Sequence, residues 1–433
     1  MAVATRSRGR IDPSSNGGAA LRDNVTIAPA FESGEALRRA HLAGERGDKD
    51  DLPEMYRRDG YPLLADLERD VGKLIGVTPE QLLLYGSGMS ALTAAIESAH
   101  PTQGDVVMRG FSVYSQTARY VKRHLEPRGV KEVFVNSGDI DEIRETIARR
   151  SPRIIVLETV GNEGLMPVLD VEAFLALPEL KALEQKPRII IDRTLSPGIH
   201  LPELLFRDPE LDIIGVESGT KFYAGNRKML GIVYSSRGTI KELFARRKTV
   251  GGTPDVDAVS DVAQYLTRSR RDFDRMIRRV NRNTLILARA CLEAAKKNPG
   301  LSVTHPNLPG HENKGLADTL ARNGVTPVFY FSHQAYMERD RRLTHEGDPS
   351  LSPEGERRTE SRQMKTHYLL VDLIRGDPVV GYLTEVGQSF NVQKTRLYAD
   401  SDFTINRIAG SIEDPALIAE LGSALRDRLV SIE

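Results

Sequence analysis

The sequence predicts an α/β fold: a large domain on a mostly parallel sheet, followed by a smaller carboxyl-terminal α/β domain. Two observations predict it. Short β-branched apolar runs (Asp105-Val106-Val107-Met108, Val133-Phe134-Val135, Arg153-Ile154-Ile155-Val156-Leu157, Arg188-Ile189-Ile190-Ile191 and Leu211-Asp212-Ile213-Ile214-Gly215-Val216) recur between stretches of helical periodicity. Alternation of this kind is what a parallel sheet covered by helices requires. In addition, several runs are apolar at nearly every position, as strands buried on both faces are.

Taken in order, residues 1–60 form a polar arm with many charges and little apolar periodicity. The large domain covers residues 61–255. It opens on a helix whose apolar positions, Leu63, Leu64, Leu67, Val71, Leu74 and Ile75, share one face. Leu82-Leu83-Leu84-Tyr85 follows as a strand, the runs above continue the sheet, and Gly231-Ile232-Val233-Tyr234 adds a further strand. The remaining unit, 256–433, starts with a single long helical pattern from Val256 to Lys297. Its arginines (Arg268, Arg270, Arg271, Arg275, Arg278, Arg279, Arg282) alternate with Asp272, Asp274, Phe273, Met276 and Ile277, which makes them a solvated amphipathic face rather than a nucleic-acid surface. Val328-Phe329-Tyr330-Phe331 and Phe403-Thr404-Ile405-Asn406 are strands, and Ala416–Leu429 is a closing helix.

Composition narrows the function classes. The 433 residues balance 60 basic against 60 acidic side chains, so no overall charge favours nucleic acid. One cysteine, Cys291, excludes an internal disulfide framework and fits a reducing cytoplasm. No apolar run approaches the roughly 20 residues of a membrane span. The first twenty residues, with Arg6, Arg8 and Arg10 among Ser and Gly, lack the apolar segment of a secretory signal; an Arg/Ser-rich, acid-poor start is compatible with a transit peptide, and a disordered tail is the preferred reading. The nine histidines are scattered without metal-ligand spacing, so no metal is expected.

The chemistry-bearing residues fall at strand ends, where open α/β sheets place ligands. Lys221 lies in Glu217-Ser218-Gly219-Thr220-Lys221-Phe222, just past an apolar strand. An amine there, flanked by the hydroxyls of Ser218 and Thr220, suits capture of an aldehyde cofactor that also carries a phosphate. Asp192 ends another strand and offers a carboxylate to a ring nitrogen. Gly86-Ser87-Gly88-Met89-Ser90 leads into an apolar helix, and a helix N-terminus with backbone N–H groups receives a phosphate dianion. Tyr114 follows a strand and is placed to cover a flat ring, and Asn162, in Glu158-Thr159-Val160-Gly161-Asn162, offers an amide to a phenolic oxygen.

In this order the motifs resemble the Cys/Met-metabolism family of pyridoxal-phosphate (PLP) enzymes, which includes cystathionine γ-lyase, cystathionine γ-synthase, methionine γ-lyase and cystathionine β-lyase. Ser87-Gly88-Met89 stands where the family has its phosphate turn, and Tyr114 where it has its stacking tyrosine. Glu158 and Asn162 match Glu-x-x-x-Asn, Asp192 matches the aspartate of Asp-Asn-Thr, and Ser218-x-Thr220-Lys221 matches Ser-x-Thr-Lys. The resemblance implies fold type I, the PLP-dependent transferase-like (aspartate aminotransferase-like) architecture. It also implies that Tyr56 and Arg58, in the arm, reach the phosphate of a neighbouring subunit in a dimer of dimers. Arg407, in Arg407-Ile408-Ala409-Gly410-Ser411-Ile412-Glu413-Asp414, is implied to grip the substrate carboxylate, and Ser389 to steady the lysine.

The implied function is elimination or replacement at Cγ or Cβ of an L-amino acid through an aldimine with Lys221, with Lys221 and Tyr114 as catalytic residues. The leaving group is sulfur, oxygen or halide. Transamination or racemisation, and a PLP-binding homologue without catalysis, stand as alternatives. Three departures bear on specificity. Arg193-Thr194-Leu195 replaces Asn-Thr-Phe and puts a cation near the cofactor or on the adjoining surface. Gly225-Asn226-Arg227-Lys228 replaces Gly-His-x-Asp, and a charge-rich insertion between His333 and His367 is partly helical, a lid or disordered.

Overall fold

The computed structural model describes residues 60–333, 391–396, 404–410 and 412–430, apart from 163, 268, 299 and 300. The expected first helix is α1, Pro62–Ile75. Pro62 starts it where its missing N–H costs nothing, and Gly76 ends it at φ 95°, a left-handed geometry that glycine adopts without strain. Leu64, Leu67, Val71, Leu74 and Ile75 are buried.

The main sheet has seven strands: β1 (Leu82–Tyr85), β2 (Val106–Gly110), β3 (Lys131–Val135), β4 (Ile154–Glu158), β5 (Arg188–Asp192), β6 (Asp212–Ser218) and β7 (Gly231–Tyr234). Their order is β1-β7-β6-β5-β4-β2-β3. From β6 to β3 every pairing is parallel, whereas β7 runs antiparallel to both its neighbours. Helix α2 (Gly88–Glu97) follows β1, and the four-residue α3 (Gly219–Phe222) follows β6. The register places Glu158 opposite Asp192 and Asp192 opposite Val216, so the carboxyl ends of β4, β5 and β6 lie side by side.

The outer edge of β1 is closed by side chains. Glu68 accepts the Leu84 N–H at 3.0 Å, and Arg247, on α4 (Arg237–Val250), donates to the Leu84 carbonyl at 2.8 Å. The two side chains also pair with each other at 2.6 Å, so an ion pair takes the place of a further strand at an otherwise open edge.

The single helix expected over Val256–Lys297 is instead two, α5 (Val256–Tyr265) and α6 (Arg270–Lys297). Leu266 turns to an extended conformation, and the Ser269 side chain accepts the Asp272 N–H as the cap of a new helix. A serine that caps a helix start competes with helix continuation, a signal that apolar periodicity does not carry. On α6, Arg270, Arg271, Arg275, Arg278, Arg279 and Arg282 are exposed, while Phe273, Ile277 and Val280 are buried.

A second, antiparallel sheet has the order β10-β11-β9-β8, from β8 (Leu301–Thr304), β9 (Val328–His333), β10 (Asn391–Arg396) and β11 (Thr404–Ala409). Its core joins Phe329, Phe331 and Ile408 to Leu287 and Cys291 of α6 and to Leu421 and Leu425 of the closing helix α7 (Pro415–Val430). Cys291 is fully buried there, and that burial pushes its thiol up to about 12, which leaves it inert. Among the described residues no helix is long and apolar enough to cross a membrane.

Candidate active site

The site is assembled at the carboxyl ends of the parallel strands. Past β1, Ser87 caps α2: its Oγ accepts the Ser90 N–H at 3.1 Å, and the Ser90 Oγ accepts the Ser87 N–H at 2.9 Å. The amides of Gly88 and Met89 belong to the first turn, where N–H groups have no intrahelical partner. Gly88 is required by proximity, since a Cβ at that position would stand 2.9 Å from the Cβ and 3.2 Å from the Oγ of Ser218. The helix N-terminus and the start of the lysine turn therefore touch, which brings first-turn N–H groups and the Ser218 hydroxyl together, as a phosphate requires.

Lys221, partly buried, sits on α3 just past β6. Thr220 fastens this turn to the start of β7. Its N–H donates to the Leu230 carbonyl at 3.0 Å, and its Oγ1 accepts the Leu230 N–H at 3.0 Å and donates back to that carbonyl at 3.3 Å. Thr220 thus shapes the turn that carries Ser218 and Lys221 through both its backbone and its hydroxyl.

Asp192 ends β5, with its Oδ1 accepting the Thr194 N–H at 2.8 Å. Thr194 in turn accepts the Ser218 N–H on its Oγ1 at 2.8 Å, linking the Asp192 turn to the lysine turn. Burial pushes the Asp192 carboxyl up to about 6, against the lowering effect of the Thr194 hydrogen bonds, and the charge of Glu217 adds to the rise. A carboxylate so destabilised gains most from a cationic neighbour. Thr194 was not singled out in the sequence, although Asp-x-Thr past a strand is a side-chain-to-backbone turn signal.

Glu158 lies beside Asp192 and accepts the Tyr114 N–H at 2.6 Å. Burial, then the neighbouring Asp192 charge, raise its pKa well above the usual carboxylate range. Tyr114 itself stands at the start of the helix Ser115–Tyr120 and keeps 41% of its surface exposed, so its ring is open to a ligand.

Asn162 joins the two sheets. Its N–H donates to the Ser112 carbonyl at 2.8 Å, and its Oδ1 accepts from the Tyr330 hydroxyl at 3.1 Å and from Arg407 Nη1 at 3.0 Å. Two donors on Oδ1 leave the Nδ2 amide as the donor side, as recognition of a phenolic oxygen requires. Tyr330 is opposite Arg407 across β9 and β11, a neighbour that no local motif reveals.

Arg193 departs in part from expectation. It does not lie on the surface: next to Asp192 in the chain, it is buried and paired with Glu217. Tyr56, Arg58, Ser389 and the insertion between His333 and His367 lie outside the described residues. Among the described residues no cluster of His, Cys, Asp or Glu is arranged to hold a metal ion.

The donor set fits pyridoxal phosphate: a helix N-terminus touching Ser218, a buried carboxyl in need of a cation, an amine just past the next strand and an exposed aromatic ring. Comparison with known proteins agrees. The crystal structure of metB from Corynebacterium glutamicum shares the fold with a TM-score of 0.64 at 20% identity, over 87% of this chain and 89% of that one. Cystathionine beta-lyase of Saccharomyces cerevisiae is 24% identical over 243 residues, 54% of this chain and 50% of the relative. Cystathionine beta-lyase MetC of Bacillus subtilis is 30% identical over 176 residues, 40% of this chain and 41% of the relative. The chain thus spans about half the length of these curated relatives. The family model for Cys/Met metabolism PLP-dependent enzymes matches residues 28–346, most of the chain, and the chain belongs to that family.

Proposed function

We propose that this protein binds pyridoxal phosphate and an L-amino acid and catalyses elimination or replacement at Cγ or Cβ. The observation that carries the reading is the meeting, at adjacent strand ends, of Lys221, Asp192 and the Gly88–Ser218 turn, with Arg407 tied to the same place through Asn162. When bound, the cofactor supplies an electron sink that lowers the barrier to losing a proton from the substrate Cα.

The protein's residues do the rest. The α2 N-terminus and Ser218 bind the phosphate, and Asp192 holds a proton at the ring nitrogen. The Lys221 Nζ would take the proton from Cα; in γ-chemistry it would pass that proton on to C4′ and only then, as a free amine again, remove one from Cβ before the leaving group departs. Arg407 binds the substrate carboxylate through its planar fork, oriented by Asn162. Tyr114 covers the ring, its hydroxyl placed to exchange a proton with the substrate amine or the leaving group.

The test is a screen of amino acids with leaving groups at Cβ or Cγ, followed by mass spectrometry. A 2-oxo acid with ammonia marks elimination, and a substituted amino acid marks replacement. Inverted substrate or transfer of the amino group would instead favour racemisation or transamination. A yellow, cofactor-loaded protein that turns over none of them would favour a non-catalytic homologue.

The same reading makes the protein a cytoplasmic homo-oligomer, a dimer of dimers, in which Tyr56 and Arg58 complete the phosphate site of a neighbour. Mixing Arg58→Ala with Lys221→Ala under subunit exchange then restores activity in hybrid dimers. No recovery despite demonstrated exchange, or an active monomer, would exclude a shared site.

A further inference from the structure

Three buried side chains adjoin, along the chain, the residues assigned to the cofactor. Arg193 follows Asp192, Glu217 precedes Ser218, and Tyr223 stands two positions past Lys221. Arg193 and Glu217 are only 2% and 1% exposed. Arg193 Nε donates to Glu217 Oε1 at 2.8 Å, its Nη2 donates to the same oxygen, and its Nη1 donates to the Ile199 carbonyl at 2.8 Å. The Tyr223 hydroxyl donates to Glu217 Oε2 at 3.0 Å. Both oxygens of Glu217 and most of the guanidinium fork are engaged.

Such a pair is a costly way to stabilise a fold. Desolvating each ion costs several kcal/mol, and apolar side chains of similar volume often serve as well or better. What an ion pair supplies and apolar packing does not is direction. This one binds the end of β5 to the end of β6 and ties both to the residue after Lys221-Phe222. The backbone is cross-linked at the same level, by Arg193 N–H to the Val216 carbonyl at 2.9 Å and Ser218 N–H to Thr194 Oγ1 at 2.8 Å.

We propose that Arg193, Glu217 and Tyr223 are positioning residues for the cofactor: their network sets the spacing between the Asp192 carboxylate and the Lys221 amine. The inference rests on the reading that this site holds pyridoxal phosphate. Because the three side chains are buried and spend their polar atoms on one another and on the Ile199 carbonyl, the network acts through the two residues it spaces.

The test uses the full chain with two variants, the double substitution Arg193→Met/Glu217→Leu and the single Tyr223→Phe. Three quantities are measured: the melting temperature of the cofactor-free protein, the Kd for pyridoxal phosphate by equilibrium dialysis, and the pH at which the bound cofactor's visible absorbance titrates. Removing both charges together leaves no unpaired ion, though it strips the Tyr223 hydroxyl and the Ile199 carbonyl of a partner, so the cofactor-free double variant still folds and melts only a few degrees below wild type. It nevertheless binds the cofactor about tenfold more weakly, and Tyr223→Phe, which removes one hydrogen bond, about threefold more weakly. In both, the absorbance titration moves.

Unchanged affinity and titration in a folded double variant would make the network structural only and overturn the proposal. Should the double variant fail to fold, Tyr223→Phe decides alone, and wild-type affinity with a wild-type titration overturns it. Wild-type protein that does not bind pyridoxal phosphate would remove the functional reading itself, and the proposal with it.

Discussion

Arg407 on β11 donates to the side-chain oxygen of Asn162, just past β4, at 3.0 Å, so the two sheets meet at one amide. A residue some 240 positions later in the chain is thereby held at the site with its fork oriented. Arg407→Lys keeps the charge and loses the planar pair of donors. Steady-state kinetics on the best amino acid found should show KM raised at least about tenfold, with kcat changed much less, because carboxylate binding is largely uniform between ground and transition states.

Lys221→Ala removes the only amine placed at the strand ends by this turn. The variant should purify without the yellow of the lysine-bound cofactor and lose activity by about four orders of magnitude or more. Turnover close to wild type would end the assignment.

Cofactor affinity should depend on pH through Asp192. In the cofactor-free protein its carboxyl titrates at about 6, above its unfolded value, so its contribution to stability is lost as pH rises between about 4 and about 6. A cationic ring nitrogen favours the ionised form, so affinity should rise as pH increases through the same window. The cofactor phosphate also titrates near about 6. The informative quantity is therefore the difference from Asp192→Asn, in which the carboxylate component should vanish and activity fall by orders of magnitude.

Gly88→Ala introduces a Cβ within 2.9 Å of Ser218 and 3.1 Å of its Cα. Either α2 or the lysine turn must shift, so dialysis should show cofactor affinity reduced more than about tenfold, with a smaller loss of stability. Wild-type affinity would show that the two turns do not jointly hold the phosphate.

Arg247→Met leaves Glu68 without its ion-pair partner and the Leu84 carbonyl without its donor. Breaking a buried pair in this way costs about 3 kcal/mol, and urea unfolding should register a loss of that size.

Much of the site was legible because its signals are local. Ile189-Ile190-Ile191 before Asp192, and Leu82–Tyr85 before Ser87-Gly88, are continuous apolar runs because those strands are buried on both faces, and the residue after such a run lands at the strand end. The break between α5 and α6 was not read, because one capping serine outweighed periodicity that continues on either side of it. Nor was the reversal of β7, since a four-residue apolar strand carries no mark of its direction.

The sequence by itself determined which groups stand at the strand ends and in what order: phosphate turn, tyrosine, amide, aspartate, lysine. A strand's length and polarity are set within a few residues, and its terminal side chain is delivered with it. Only the tertiary structure decided the partners. Thr194 joins Asp192 to Ser218, Tyr330 shares Asn162 with Arg407, Thr220 bonds the Leu230 backbone, and Arg193 pairs with Glu217. Each of these depends on which strands become neighbours and in what register. That is fixed by burial of the whole sheet, so residues from 10 to 245 positions apart come within hydrogen-bond reach with no local pattern to announce it.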